Sequence, residues 1–506
     1  MSPGLDLKFQ FHSPEVFRMG ESVIYNVRDF GAAGDGITPD THAVQITIDT
    51  CSKNGGGVVF FPSGSCFLIG TIYLKSHICM HVAENAVILG STDLTDYGKD
   101  TGFCPYYPEP LDPCLIHAEG EKGITFTGRG IIDSQFQEDF QCKHDDPLAH
   151  DSIQRPMLIR LNDCSDISME NLTLRGAHSW CVHIKYCRDV KLRGLTVLND
   201  RQDGFNIESS CRITISDCTL FCGDDGIALT TSHRDKPLAD LSITNCIISS
   251  RWAAFRIGPL SKGSFERIVM SNCVLKDCGG GGIKIGMFEG AEVKNCIFSS
   301  IVMENVTAPI LIMNAQWTDI GSQVSEPRMM PAGKISNIQF SNLIIEAHAG
   351  PTIPWDKKSY SHDDIHDFLV RPDRNSTIFL HGHKDGVLKH ISLQNICLTL
   401  PGGGEAVPSP LENIVDMHEI DIGEHGYWTD DKTVWGIPVS SAVFGRHLEN
   451  LRIRDMDISY QTPEGRPIFA FADCTTVILR DSWEDGRKIS GGDIIQQNCG
   501  DSLKVD

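Results

Sequence analysis

Two adjacent carboxylates, Asp224 and Asp225, stand in the stretch CGDDGIALTTS, between a glycine and an apolar alternation. A third carboxylate, Asp203, lies shortly before them in RQDG. Like charges that lie close together cannot all ionise easily, so one carboxyl of such a group keeps its proton and serves as an acid while the others serve as bases. Hydrolysis of a glycosidic bond requires this division. A Ca²⁺ site and a set of solvated turn residues are the alternative interpretations.

A repeat of short segments decides whether the three carboxylates meet. In the middle of the chain, apolar alternations follow turns and many carry a cysteine, as in LNDCSDISMENLTL and SSCRITISDCTLF. Corresponding cysteines recur at steps of about 23 to 27 residues, without helical periodicity between them. This predicts an all-β fold, a right-handed, single-stranded parallel β-helix whose coils stack about 4.8 Å apart. A β-sandwich or a propeller is the alternative, although propeller blades are about twice as long.

One strand per coil can be aligned by its apolar alternation, because successive side chains of a strand point to opposite faces. The inward positions are Val182 and Ile184, Phe205 and Ile207, Ile227 and Leu229, Phe255 and Ile257, and Ile283 and Ile285. The outward positions form a polar stripe with two cations: His183, Asn206, Ala228, Arg256 and Lys284. The same register places Asp203 one coil from Asp225, with Asp224 beside them.

The sequence predicts three parts. Residues 1–23 form an N-terminal extension, residues 24–485 form the parallel β-helix catalytic domain, and residues 486–506 form a C-terminal tail. A helix near residues 39–53, which Asp40 or Thr41 can cap, is expected to cover the N-terminal end of the solenoid. Residues 350–375 and 400–440 are expected to be long loops.

The composition of the chain indicates which binding partners and which cellular compartment to expect. The 506 residues carry a formal net charge of −22, which disfavours nucleic acid and anionic membrane surfaces as partners. Residues 1–23 lack a basic start followed by an apolar run, and no stretch of about 18 apolar residues occurs, so we expect a cytoplasmic protein without a membrane span. Most of the 19 cysteines are expected to be buried thiols in a reducing compartment, with an extracellular disulfide protein as the alternative.

Longer stretches resemble glycoside hydrolase family 28, the polygalacturonase-like enzymes, over most of the chain. VRDFGAAGDGITPDTHAVQITIDTC is similar to that family's first segment, and RPMLIRLNDCSDISMENLTLRGAHSWCVHIKYC is similar to its central coils. WGIPVSSAVFGRHLENLRIRDMDI looks like the tail of bacterial members. The resemblance implies a right-handed parallel β-helix that hydrolyses glycosidic bonds with inversion at the anomeric carbon.

Two of the family's four catalytic motifs carry over, one of them in part. GDDG supplies Asp224 and Asp225, and RQDG supplies Asp203 where the Asn-Thr-Asp motif has its aspartate. The resemblance implies that Asp224 is the general acid and that Asp203 and Asp225 hold and deprotonate the attacking water. An inverting pair of carboxyl groups lies roughly 6.5–9.5 Å apart to admit that water. Ala253 stands at the position of the family's His, and Gly286 at that of its Lys.

The residues around the carboxylates supply the candidate substrate contacts, namely His183, Arg201, Asn206, Arg256, Lys284 and Trp317. Lys284 stands at the family's Arg position and Trp317 at that of its late Tyr. Arg201, Arg256 and Lys284 can clamp a sugar carboxylate, since Arg suits a planar, bidentate contact. Surface cations paired with local acids are the alternative. A satisfied histidine and core packing are the alternatives for His183 and Trp317.

No cofactor and no metal are expected. The segments KHDDPLAHD at 143–151 and SHDDIHD at 361–367 mix His with Asp, and such spacings also suit metal ligation. Solvated loop charge or sugar contact is the favoured interpretation of both segments.

The sequence therefore predicts a polygalacturonase-like glycosidase that acts on pectic or related plant oligosaccharides, exo-acting and inverting. Its expected partner is an oligosaccharide, and the oligomeric state is left open. A lyase or a sugar-transferring enzyme on the same scaffold is one alternative, because the Asp cluster with Arg256 can supply a base and a neutralising cation. A non-catalytic carbohydrate-binding solenoid is the other alternative.

Overall fold

A computed structural model describes residues 23–98, 103–104, 107–110, 113–135, 156–199, 201–316, 318–319, 328–347, 378–406, 439–500 and 503–505. Nearly all regular structure within these ranges is β-strand, and two long sheets contain most of it. Successive coils add strands to both sheets, which is the arrangement of a right-handed parallel β-helix. The predicted fold class is confirmed.

The sheet that contains the aligned strands has 13 members, and we call it the site sheet. Its neighbouring strands all pair in parallel. In chain order they are Ile72–Tyr73, Cys114–Glu119, Met157–Asn162, Val182–Lys185, Phe205–Glu208, Ile227–Thr231, Ala253–Ser261, Gly281–Met287, Ile310–Asn314, Ile378–His381, Val443–Arg446, Phe469–Ala472 and Ile494–Gln497.

The other sheet has 25 strands and forms the remaining faces of the solenoid. Its shorter strands are Ile24–Asn26, Asp35–Pro39, Gly57–Phe61, Cys66–Ile69, Ile78–Val82, Val87–Gly90, Lys122–Gly128, Ile131–Asp133, Ser165–Glu170, Thr173–Arg175, Arg188–Arg193, Thr196–Asn199, Cys211–Ser216, Thr219–Cys222, Leu238–Thr244, Ile247–Ser250, Thr475–Arg480, Trp483–Glu484, Arg487–Lys488 and Leu503–Val505. In five later coils two such strands merge into one of 13 to 15 residues: Ser264–Cys278, Glu292–Val306, Lys334–Ala347, Leu388–Leu400 and Leu448–Tyr460.

The predicted inward positions of the site sheet form the core of the solenoid. Val182 is in register with Phe205, and Phe205 with Ile227. Phe255 and Ile283 continue the same column, and all five side chains are fully buried. Burial of one such side chain stabilises the fold by about 1.5–3 kcal/mol, so stacked columns of this kind hold the coils together.

The coils turn at residues whose backbone is left-handed. Asn245, Asn272, Asn342 and Asn395 all have φ between 51° and 56°, a region that Asn adopts more readily than most residues. Asn395 Nδ2 also donates to Asn342 Oδ1 at 2.8 Å, across adjacent coils. The corner residues therefore supply both the turn and a hydrogen bond between coils.

The predicted N-terminal helix spans Thr41–Lys53 and packs on the first coil. Val44 and Ile48 lie four residues apart on its buried face, as in an amphipathic helix. Asp40 is the N-cap residue but does not cap the helix with its side chain. Its Oδ2 instead accepts the backbone N–H of Gly34 at 3.0 Å, so this carboxylate fixes the preceding loop.

A few short elements complete the described structure. The 3-10 helices are Val27–Phe30, Leu94–Asp96 and Gly491–Asp493, and the small antiparallel pairs are Phe103–Cys104 with Tyr107–Pro110 and Thr318–Asp319 with Arg328–Met329. No helix within the described ranges is long and apolar enough to cross a membrane. The 17 cysteines whose side chains the structure describes are free thiols.

Parallel pairing continues beyond residue 485. Ile494–Gln497 pairs with Phe469–Ala472, and Leu503–Val505 pairs with Thr475–Arg480. Residues assigned from the sequence to a C-terminal tail thus contribute strands to both sheets. Most of the two expected long loops lies outside the described residues.

Candidate functional site

The three carboxylates meet at the edge of the site sheet where its strands begin. Asp203 lies two residues before Phe205–Glu208, and Asp225 lies two residues before Ile227–Thr231. One oxygen from each of these two residues and one from Asp224 lie within 4.8 Å of one another. The register of the repeat therefore gathers them into one cluster, as the alignment of the coils indicates.

Gly226, which follows Asp225, allows the backbone to pack closely against the next coil. A Cβ on Gly226 would lie 2.4 Å from Ile248 Cγ2 and 2.6 Å from the carbonyl oxygen of Ala254. No larger residue fits in this space. The Asp-Gly pair thus places a carboxylate at the start of a strand that is immediately packed against the next coil.

Fixed groups surround the carboxyls of Asp203 and Asp225, which are both buried. Asn206 Nδ2 donates to Asp203 Oδ2 at 2.7 Å, and the backbone N–H of Asp225 donates to Asp203 Oδ1 at 3.2 Å. The backbone N–H of Ala253 donates to Asp225 Oδ1 at 3.2 Å. Arg256 forms an ion pair with the same carboxylate, with Nε 2.6 Å from Oδ2.

Asp224 differs from its two neighbours. It is partly exposed, and its carboxyl forms no hydrogen bond with the residues that the structure describes. Desolvation and the charges of Asp225 and Asp203 raise the pKa of Asp224 well above its usual value, although Arg256 and Lys284 oppose the shift. Desolvation and the charge of Asp225 also raise the pKa of Asp203, to about 7. Asp224 therefore keeps its proton where an ordinary aspartate has lost it.

The spacing of the carboxyls is shorter than the resemblance implies. Their oxygens approach within 4.8 Å, whereas an inverting pair of carboxyl groups is expected at roughly 6.5–9.5 Å. Two oxygens about 4.8 Å apart can still share one water, because hydrogen bonds of about 2.8 Å to each oxygen span that gap. The cluster has room for an attacking water, but its spacing does not assign an inverting outcome.

The outward stripe has the predicted register but is not a solvated face. His183 pairs with Asn206, Asn206 with Ala228, Ala228 with Arg256, and Arg256 with Lys284. His183 is 0% exposed and Lys284 is 6% exposed, and the Arg256 side chain is 11% exposed. The two cations are therefore largely buried and not surface residues, although Arg256 is paired with a local acid, Asp225, as that alternative expected.

A buried charged network continues the stripe on the N-terminal side of Asn206. Lys185 Nζ lies 3.1 Å from Glu208 Oε1, and the Ser232 hydroxyl donates to the same oxygen. His183 Nε2 lies 3.7 Å from Glu208 Oε2. Desolvation lowers the pKa of His183 to about 4, so the ring is neutral at pH 7 and Lys185 carries the charge that compensates Glu208. Arg160, buried and in register with His183, extends this network.

Trp252 is a site residue that the sequence did not reveal. Gly226 N–H donates to the Ala253 carbonyl at 2.9 Å, so Trp252 lies one coil after Asp224. It is partly exposed, and Lys284 Nζ lies 4.8 Å from its ring centroid. An aromatic ring at this place offers a face or an edge to a sugar beside the carboxylates.

The remaining predicted site residues lie at the edge of the carboxylate cluster or outside the residues that the structure describes. Arg201 is partly exposed, two residues before Asp203. Desolvation and the charge of Arg201 lower the pKa of the nearby His178 to about 4. Trp317 and the segments at 143–151 and 361–367 lie outside the described residues.

The carboxylate cluster is also the group, within the described ranges, whose ligand atoms could surround a metal ion. Arg256 and Lys284 place positive charge beside the same oxygens. Their charge offsets the negative field that attracts Ca²⁺. The arrangement therefore favours proton transfer over metal binding.

Comparison with known proteins gives the family. The family model described as Glycosyl hydrolases family 28 matches residues 105–353, which include the carboxylate cluster, and one described as Rhamnogalacturonase A/epimerase, pectate lyase-like, matches residues 24–90. A probable polygalacturonase of Vitis vinifera is 27% identical over 340 residues, which cover 63% of this chain and 68% of that protein. Residues 105–353 of the chain thus carry the sequence of a glycoside hydrolase family 28 region.

Two further similar proteins are a solved structure and a curated streptococcal protein. The structure of a hyperthermoactive exopolygalacturonase from Thermotoga maritima superimposes with a TM-score of 0.59 at 19% identity, covering 74% of this chain and 87% of that chain, and it shares the fold. Plasmin and fibronectin-binding protein A of Streptococcus pneumoniae is 37% identical over 161 residues, which cover 31% of this chain and 21% of that protein.

Proposed function

We propose that this protein hydrolyses glycosidic bonds of pectic oligosaccharides, with Asp224 as the general acid and Asp203 and Asp225 activating the water. The observation that carries the proposal is the contrast within the cluster. Asp224 is partly exposed, has a raised pKa and forms no hydrogen bond with the described residues. Its neighbours are buried and held by fixed groups. Asp224 can thus donate a proton, while the neighbouring carboxylates of Asp203 and Asp225 are held in place to bind a water molecule.

The reaction can be written with all atoms and charges in place. The Asp225 carboxylate takes a proton from the water while the water oxygen bonds to the anomeric carbon. The bond between that carbon and the glycosidic oxygen breaks, and Asp224 gives its proton to the leaving oxygen. Asp203 accepts a hydrogen bond from the water and orients it. Family resemblance supports inversion in this step, whereas the carboxyl spacing alone does not.

An acidic sugar is the proposed substrate class. The relative from Vitis vinifera is named as a probable polygalacturonase. A chain with a net charge of −22 needs local positive charge to bind such a sugar. Arg201 lies two residues before Asp203, and the backbone N–H of Arg251 donates to the carbonyl oxygen of Cys222; both side chains are partly exposed. Together with Lys284 they can supply that charge.

We also propose exo-action, because the outer face of the site sheet is covered on both sides of the carboxylates. Arg160 and His183 are 0–1% exposed on the N-terminal side. On the C-terminal side Phe379 and Phe444 stack with their ring centroids 5.0 Å apart, and neither is more than 6% exposed. An open groove for a long polysaccharide would leave such residues in contact with solvent, so a chain end is the expected ligand.

Product analysis tests these proposals together. Purified protein and its Asp224→Asn variant are incubated with galacturonate oligomers, their methyl esters and neutral plant oligosaccharides, and products are identified by mass. Products that have gained one water, released as single sugars and absent with the variant, support an exo-hydrolase. Unsaturated products would indicate a lyase instead. The anomeric configuration of the first product, read by NMR, decides between inversion and retention.

A non-catalytic carbohydrate-binding solenoid is the second candidate. Two observations favour it: Ala253 and Gly286 stand where the resemblance expects His and Lys, and the pneumococcal relative is named as a binding protein. This candidate predicts that an oligosaccharide binds equally well to the wild type and to Asp224→Asn, without turnover in either. Turnover that depends on Asp224 excludes it.

A further inference from the structure

Arg256 occupies an unexpected place in the site. Its Nε lies 2.6 Å from Asp225 Oδ2, and the Asp225 side chain is fully buried. The sequence suggested that Arg256 would bind a sugar carboxylate. In the structure it binds a carboxylate of the protein itself, so its first role must be sought in the behaviour of Asp225.

The register explains why this arginine reaches Asp225. Arg256 is paired with Ala228, which lies three residues after Asp225, and the strand start at Ala253 lies beside Asp225. Ala253 carries only a methyl group, and it contributes its backbone N–H to Asp225 Oδ1 at 3.2 Å. The side chain that a residue at position 253 could direct toward Asp225 is missing, and Arg256 in the same strand approaches the other oxygen.

We propose that Arg256 is a positioning residue that orients the water-activating carboxylate of Asp225 and keeps it ionised, in place of the side chain missing at Ala253. The inference rests on the proposed hydrolytic function. It assigns to Arg256 an effect on the chemical step and leaves recognition of the substrate's charge to other cations.

Electrostatics around Asp225 support this assignment. The charged or titratable groups that act on Asp225 are Asp203 from the preceding coil, Asp224 and Cys222 from its own coil and Arg256 from the next coil, while Lys284 from the coil after that acts on the adjacent Asp224. Two acids next to a third would favour protonation of all three. Arg256 opposes this, since its charge lowers the pKa of both Asp203 and Asp224.

The test compares three substitutions under one assay. Arg256→Gln removes the charge, Arg256→Lys keeps the charge with a different geometry, and Lys284→Gln removes the second cation that acts on the cluster. Arg267→Gln is the matched control, because Arg267 forms a similar pair with Asp240 at 2.5 Å on an exposed face. For each protein, kcat and KM are measured against pH on trigalacturonate and on its methyl ester, and folding is checked by thermal unfolding.

Arg256→Gln is expected to lower kcat on the order of 100-fold on both substrates, with little change in KM. The fall of activity on the alkaline side should move to higher pH, because the charge that lowers the pKa of Asp224 is gone. Arg256→Lys should recover part of kcat, and Lys284→Gln should raise KM for the acidic substrate only. A rise in KM confined to the acidic substrate with Arg256→Gln, or unchanged kinetics, would overturn the proposal.

Failure of the proposed function gives a different result. If Asp224→Asn is as active as the wild type, the hydrolytic assignment itself fails, whatever the Arg256 variants do. If Asp224→Asn is inactive and folded Arg256→Gln keeps full kcat, the hydrolytic assignment stands and the role of Arg256 is refuted. If Arg256→Gln does not fold, Arg256→Lys replaces it in this comparison, and its kcat should still fall because lysine keeps the charge but not the geometry that orients Asp225.

Discussion

Three aspartates of identical chemistry differ here only in their neighbours. Asp203 accepts two hydrogen bonds and Asp225 faces an arginine, whereas Asp224 is partly exposed to solvent. Burial and mutual repulsion raise the pKa of Asp203 and Asp224, so protons stay in the cluster near neutral pH. Such a cluster costs stability in the folded protein, and perturbed pKa values of this kind are typical of functional sites.

Replacement of Asp224 by asparagine is therefore expected to abolish activity and stabilise the fold. The pKa of Asp224 is raised in the folded state, so the folded protein binds this proton more tightly than the unfolded chain. Stability is then lost as the pH rises through the unfolded value of 3.8 towards the folded value. Asp224→Asn removes this loss. Turnover should fall about 10²–10⁴-fold, while the Tm should rise by a few degrees at pH 8 and little at pH 3.

Asp240→Asn is the matched control for this experiment. Its hydrogen bonds to Arg267 lower the pKa of Asp240, so its charge stabilises the fold above the unfolded pKa and the loss of that charge should slightly lower the Tm at pH 8. A decrease in Tm for both variants at pH 8 would contradict the proton retention assigned to Asp224.

Asp203 is expected to influence activity through the proton held by Asp224. Its charge raises the pKa of Asp224, so Asp203→Asn should move the alkaline fall of kcat/KM to lower pH, besides reducing kcat. This shift is opposite in sign to the shift expected for Arg256→Gln. The pH dependence of kcat/KM, measured on the residual activity, tests it. An alkaline limb that stays in place would show that Asp224 is not the titrating acid.

Residue types and spacing sufficed to find the acids but not their partners. Asp203, Asp224 and Asp225 could be grouped because a strand repeat converts sequence distance into coil distance. The ion pair of Arg256 with Asp225 depends on the conformation of the arginine side chain, and the strand register does not determine that conformation. Glu208 and Trp252 gave no signal, since one lies in an apolar alternation and the other follows a corner.

The turn before Gly281–Met287 decides the position of Trp252. Gly280 approaches the indole so closely that a Cβ would lie 2.9 Å from both Cα and Cδ2 of Trp252. Lys284 then contacts the ring. Gly280 is therefore a packing requirement for the aromatic side chain next to Asp224.

Gly280→Ala is expected to push Trp252 away from its place. Overpacking of this kind costs about 1–3 kcal/mol of stability, and displacement of a binding side chain should lower kcat/KM by roughly 10- to 100-fold. Gly491→Ala is the control, because no atom lies within 4 Å of the added Cβ. Denaturant unfolding and steady-state kinetics on both variants provide the comparison. Unchanged kinetics of a folded Gly280→Ala protein would remove Trp252 from the site.

At the level of elements, the repeat predicted the fold because its signal is redundant. Each coil repeats the same alternation, so an error in one coil is corrected by the next. Features that occur only once in the fold were harder to predict. Asp40 binds the loop at Gly34 and does not cap the helix, and adjacent strands merge in Ser264–Cys278, because a corner residue can be bent without breaking the pairing.

The exposure of the site depends on the whole molecule and cannot be read from any single coil. The outward face of the site sheet is polar by sequence and buried in the structure. The sequence pattern of one coil carries no information about this burial. The exo-action proposed here depends on this cover.

Net charge gives a further prediction at this scale. The protein carries −22 charges, and a galacturonate oligomer is also an anion, so their long-range interaction is repulsive. The Debye length falls from about 30 Å at 0.01 M salt to about 8 Å at 0.15 M. KM for trigalacturonate should therefore fall several-fold over this range, while the short-range contacts of the site with the sugar remain.

The methyl ester of the same oligomer separates this effect from others. It keeps the sugar rings and lacks the charges, so its KM should not respond to salt between the two concentrations. Parallel measurements with both substrates distinguish screening of repulsion from an effect of salt on the fold. A KM for the acidic oligomer that rises with salt would show that local cations, with Arg201 and Arg251 at the rim, dominate the approach of the substrate. In that case the net charge of the chain would serve solubility, and capture would depend on the site alone.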